Sequence, residues 1–141
     1  MSPVVVFIVA VIFVGALVFL MISKTGAHEH AFDKEEYQTD FLAIENQLSK
    51  DHPLSFNASV VEADKLLDKA LMELGLPGNT MGERLKAAAP KFSDRSDLNS
   101  VWYVHKMRNS IAHEPGYTID YNQARRAMQT YRKALRILGA I

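Results

Sequence analysis

The chain has 141 residues, room for one compact domain and one further helix. It contains no cysteine, which excludes a disulfide framework, a thiolate zinc site and a cysteine nucleophile. A formal charge of zero hides an asymmetry: Lys24 to Phe92 carries 8 basic and 12 acidic residues, whereas Ser93 to Ile141 carries 8 basic and 4 acidic, a weak pointer to a polyanionic partner for the C-terminal half.

Pro3 to Ile22 is free of charge and consists almost entirely of Val, Ile, Phe, Leu, Ala and Met. A helix of about 20 residues rises about 30 Å, so this run is expected to be a single transmembrane anchor over residues 1–23. A cleaved signal peptide fits less well. Nothing basic precedes the run, and it exceeds the usual apolar stretch of about 7–15 residues, although Thr25-Gly26-Ala27 resembles a small-residue cleavage site. With Lys24 and Lys34 after the span and no basic residue before it, the C-terminal domain is expected in the cytoplasm. Residues 24–31 read as a polar linker. His28 and His30 lie within it, but two ligands do not make a metal site, and none is expected.

Residues 32–141 read as an all-α bundle of about five helices, with no strand periodicity. Tyr37, Phe41, Ile44 and Leu48 form one apolar stripe of a helix over 32–48, ended by Asp51-His52-Pro53; the acids Asp33, Glu35 and Glu36 at its start read as solvated. A second helix over 57–74 buries Val60, Val61, Leu67, Leu71 and Leu74 and turns Glu62, Asp64, Lys65, Asp68 and Lys69 mostly to water. Gly75 and Pro77-Gly78 make the turn. Thr80 and Glu83 form a capping box for a short third helix that Pro90 stops.

The fourth helix covers 97–113 and ends at Glu114-Pro115-Gly116. Asp120 and Gln123 cap the fifth, which places Tyr121, Ala124, Met128, Tyr131, Leu135 and Leu138 on one side. Arg125, Arg126, Arg132, Lys133 and Arg136 occupy its other side, a face that reads first as solvated and second as a binding surface.

The chemistry concentrates in Val101 to Glu114. On a wheel of about 100° per residue, Arg108 falls inside the apolar arc of Leu98, Val101, Val104, Ile111 and Ala112. A guanidinium cannot shed its charge, so this arc is expected to meet a carboxylate, a phosphate or a partner chain rather than plain core. His105 lies toward the same arc and reads as a half-buried, hydrogen-bonded histidine. Trp102 and Tyr103 read as packing residues. Asn109 and His113 are neighbours four apart on the edge, beside Lys106. Arg108 and His113 diverge by about 140°, which points to a composite site between two chains. The competing expectation is structural: Arg108 as a helix-to-helix salt bridge, and His113 as a residue favoured by the helix C-terminus.

Arg108-Asn109-Ser110-Ile111-Ala112-His113 resembles the hallmark of HEPN domains, an Arg beside a polar residue with a His a few positions on, closing a long helix before a last amphipathic one. The stretches from Ala63 to Asp68 and Thr80 to Leu85 resemble small bacterial single-span membrane proteins with the same ending. The likeness covers about 32–138. It implies a homodimer in which two motifs face each other and cut RNA without metal or cofactor. In that reading His113 is the general acid or base, Arg108 holds the phosphate oxygens, and Asn109 orients the histidine or the phosphate. Lys106, His105 and Glu114 are candidate binding or tuning residues. The alternative implied is a non-catalytic module that holds a nucleotide or a protein partner.

Overall fold

The computed structural model describes the backbone of residues 2–25 and 32–141, and the side chains of 2–19 and 32–141. Every regular element among these residues is helical. The chain divides into two units, residues 1–31 and 32–141.

The first unit contains α1 (Pro3–Thr25). The apolar run is thus a helix, but among the described residues no helix is long and apolar enough to cross a membrane. This corrects the expected transmembrane anchor. Without that span, Lys24 and Lys34 no longer place the C-terminal unit on one side of a membrane. Gly26, Ala27, His28 and His30 lie outside the described residues.

The second unit is a bundle of α2 (Lys34–Gln47), α3 (Leu54–Glu73), α4 (Met81–Ala87), α5 (Arg95–His113) and α6 (Tyr121–Leu138), with a 3-10 turn at Ala89–Lys91. α3 is central and packs on α2, α4, α5 and α6. Its stripe of Val60, Ala63, Leu67, Ala70 and Leu71 is wholly buried, and each large apolar side chain removed from water contributes about 1.5–3 kcal/mol. Against it lie Tyr37 and Phe41 of α2, Leu85 of α4, Val101 and Val104 of α5, and Met128, Tyr131 and Leu135 of α6.

The helix ends follow local chemistry. Asp33 caps α2, and the same carboxylate accepts from the Glu36 amide. Capping boxes open α4 (Thr80 with Glu83) and α6 (Asp120 with Gln123), each satisfying two amides that a helix start leaves unpaired. Gly139 closes α6 at φ 82°, a left-handed conformation that costs glycine nothing.

Two boundaries differ from expectation. α2 stops at Gln47, and Pro53 is instead the N-cap of α3, which begins earlier than its apolar pattern suggested. α4 ends at Ala87, and Pro90 sits inside the following 3-10 turn, where its missing amide is harmless.

Candidate functional site

The candidate site grows from one residue of α3. Asp64 lies on the stripe of Val60, Leu67 and Leu71, at helical spacings of four, three and seven, and is only 3% exposed. A carboxylate there must be met by donors. Three arrive from two helices. Tyr131 of α6 donates its hydroxyl to Asp64 Oδ1 at 3.1 Å. His105 of α5 places Nδ1 at 3.0 Å from the same oxygen. Arg108 of α5 brings Nε to 3.4 Å from Oδ2. Burial first, and then the Asp64 charge, push the Tyr131 hydroxyl well above its ordinary pKa and keep it a neutral donor.

The Arg108 contact is an ion pair without hydrogen-bond geometry: its buried Nε has no hydrogen-bond partner. Its Nη1 donates to Asn109 Oδ1 at 3.2 Å. The Asn109 amide in turn lies 3.4 Å from His105 Nε2. A donor at that nitrogen and an acceptor at Nδ1 fit one tautomer, with the ring proton on Nδ1 shared with Asp64.

Asp64, His105, Arg108 and Asn109 form one wall of an open groove of about 870 Å³ between α3, α4 and α5. The opposite wall is α4 and the loop before it. Arg84 fixes that wall: its Nε and Nη2 reach the two Asp68 oxygens at 2.8 Å each, and Nη1 donates to the Gly78 carbonyl at 2.7 Å. Gly82 faces Trp102 and His105 across the groove, and a Cβ there would stand 3.6 Å from the Trp102 ring and 3.9 Å from His105 Nε2. Trp102 meets the His105 ring edge to face at 6.0 Å.

Lys86, Lys106 and His113 line the same groove, are exposed, and make no ion pair or hydrogen bond with described residues. Lys65 is also on the lining, paired with Glu62 at 2.8 Å. The groove therefore presents unpaired cationic and imidazole donors around a fixed guanidinium, the composition that suits an oxyanion.

No family model, curated protein or solved structure matches the chain.

Of the residues singled out in the sequence, the groove brings together His105, Lys106, Arg108, Asn109 and His113. Glu114 is not among them. It accepts from Ser110 Oγ at 2.7 Å on the outer surface. Arg108 does meet a carboxylate within its own chain, so its position inside the apolar arc needs no partner chain to explain it. Tyr103 is 64% exposed, and the expectation that it packs is corrected. Asp64 and Asp68, expected to face water, are instead the acids that organise the two walls. Their signal was in the sequence: Asp64 shares its helical stripe with residues that had to be core. Among the described residues no cluster of His, Asp and Glu is arranged to hold a metal.

A second groove of about 500 Å³ between α5 and α6 has Arg126 as its one charged lining residue and gathers no comparable chemistry.

Proposed function

We propose that the 32–141 unit is a HEPN-like module whose groove takes a phosphodiester of RNA and cleaves it without metal, acting as a homodimer. The observation that carries this is the placement of Arg108, fixed by Asp64 and Asn109 on the wall of a groove that also holds unpaired His113, Lys106 and Lys86.

In this reading Lys106 and Lys86 attract the backbone, and Arg108 turns its remaining N–H groups to the non-bridging oxygens as charge builds on them. A histidine accepts the 2′-hydroxyl proton as that oxygen attacks its own phosphorus. The bond to the 5′ oxygen breaks, and a second histidine returns a proton to the leaving oxygen. Two copies of His113 supply the pair, and a 2′,3′-cyclic phosphate and a 5′-hydroxyl result. Imidazole suits both roles because its pKa lies near neutrality. His105 is committed to Asp64 and Asn109 and serves as a positioning residue.

The test is incubation of the full chain with labelled single-stranded RNA in EDTA. Cleavage to cyclic ends is expected, with loss in His113→Ala and in Arg108→Lys. Intact RNA at high protein concentration rejects the nuclease.

Two observations favour a second reading, a non-catalytic module that holds a nucleotide or a protein partner. Arg108 is already neutralised by Asp64, and no described residue orients His113. Binding of a nucleotide without cleavage, weakened by Lys106→Ala, is its expected result.

A further inference from the structure

α6 carries five cations and not one acid between Tyr121 and Leu138. On a wheel of about 100° per residue, Arg125, Arg132 and Arg136 fall within about 40° of one another, with Asn122, Gln129, Lys133 and Arg126 beside them. This sector spans about 120° and holds amide, guanidinium and ammonium groups alone. The opposite arc, Ala124, Ala127, Met128, Tyr131, Ala134, Leu135 and Leu138, is buried in the bundle.

Two of the five cations are neutralised by neighbouring helices. Arg132 pairs with Glu45 of α2 and lies over the Phe41 ring, and Lys133 meets Asp97 of α5 at 2.6 Å. Arg125, Arg126 and Arg136 are exposed and make no ion pair with described residues. Simple solvation does not call for three unneutralised arginines on one helix face when the neighbouring elements supply acids to the other two.

We infer that the outer face of α6 is a docking surface for a nucleic-acid backbone, separate from the groove between α3, α4 and α5. Its occupant follows from charge complementarity. Arg125 and Arg136 lie about 16 Å apart along the axis, a length over which a single strand, at about 3.4 Å per nucleotide, presents several phosphates. A lipid surface fits less well. A helix lying in a membrane interface needs an apolar face for the acyl region, and that of α6 is committed to the core. The surface deepens the RNA reading by assigning where the strand is held outside the groove, and it rests on that reading for its choice of nucleic acid.

The test uses the full chain and a fluorescent 2′-O-methyl oligoribonucleotide, which cannot be cut by attack of a 2′-hydroxyl, titrated over a range of salt concentrations. The variant is Arg125→Gln, Arg126→Gln and Arg136→Gln together; its three sites have no ion pair with described residues to lose, and circular dichroism checks its fold. Each phosphate contact on a single strand contributes about 0.7 to the slope of log affinity against log salt, so the triple variant is expected to lower that slope by about 2. Lys106→Ala is expected to change it by less than 1. An unchanged slope in the triple variant overturns the docking surface. So does binding to phosphatidylserine vesicles that the triple change abolishes while oligonucleotide binding persists. The outcomes separate the two claims: a lowered slope in a chain that never cleaves RNA keeps the surface and rejects the nuclease, whereas cleavage with an unchanged slope does the reverse.

Discussion

The hydroxyl of Tyr131 donates to Asp64 across 67 positions of sequence, and this one 3.1 Å bond ties the last helix of the bundle to its central one. The same oxygen is shared with His105, and the other faces Arg108. Asp64 is therefore the point through which three helices agree on the position of the groove wall.

Removing the two ends of that bond should cost different amounts. Tyr131→Phe leaves Asp64 with His105 and Arg108 and is expected to lower stability by about 1–2 kcal/mol. Asp64→Ala strands a guanidinium, and breaking a fully buried pair costs about 3–5 kcal/mol. The Arg108 side chain keeps 26% exposure, so a loss of roughly 2–3 kcal/mol is expected after solvent screening. Denaturant unfolding measures both; equal losses would contradict the central role of Asp64.

Alkaline pH should act on the same residue. The Tyr131 hydroxyl has a folded pKa well above its ordinary 10.0, through burial and the Asp64 charge. Its contribution is fully present below pH 10.0 and is lost as pH rises from there toward the folded value, because the unfolded chain gives up the proton first. Stability is expected to fall above pH 10.0, and less steeply in Tyr131→Phe. Tyr37 is also buried and shifted upward, so part of the slope persists in that variant. Thermal melts across alkaline buffers read it directly.

Gly82→Ala should separate stability from binding. Gly82 is helical, and an added Cβ would make ordinary contact with Trp102 at 3.6 Å and His105 at 3.9 Å. Replacing a helical glycine contributes about 0.5–1 kcal/mol, so the variant is expected to be more stable. The methyl also occupies groove space beside His105 Nε2, and weaker nucleotide binding is expected from a firmer protein. A destabilised variant would mean that the groove walls stand closer than described.

His113 and Arg108 should part company in the absence of ligand. His113 is exposed and unpartnered, so His113→Ala is expected to stay within about 0.5 kcal/mol of the parent. Arg108→Ala leaves Asp64 short of a cation and is expected to cost about 1–3 kcal/mol. Loss of activity in both with loss of stability in one would mark His113 as chemical and Arg108 as chemical and structural together.

Much of the bundle was legible because its helices are amphipathic and punctuated. The spacing of Tyr37, Phe41 and Ile44, the capping boxes at Thr80 and Asp120, and the turn at Pro77-Gly78 each declare themselves locally. Arg108 was legible as an anomaly, a permanent charge on an apolar face. Its partner was not, because Asp64 stands 44 positions away and sequence spacing says nothing about which helices meet. Asp64 was misjudged by residue type: an acid among Glu62, Lys65 and Asp68 looks solvated until its phase against Val60 and Leu67 is checked. The apolar run of α1 was legible as a helix, whereas the span expected of it is not found among the described residues.

The unequal anchoring of α3 and α4 predicts unequal hydrogen exchange on the two sides of the groove. α3 is gripped by four helices, so its amides should exchange with solvent only when the whole bundle opens. α4 has seven residues, contacts α3 and the 3-10 turn, and is clasped through Arg84 to Asp68 and the Gly78 carbonyl. Leu85 holds it to the core as well, so its amides are expected to exchange earlier than those of α3, and earlier still once Arg84→Ala removes the clasp.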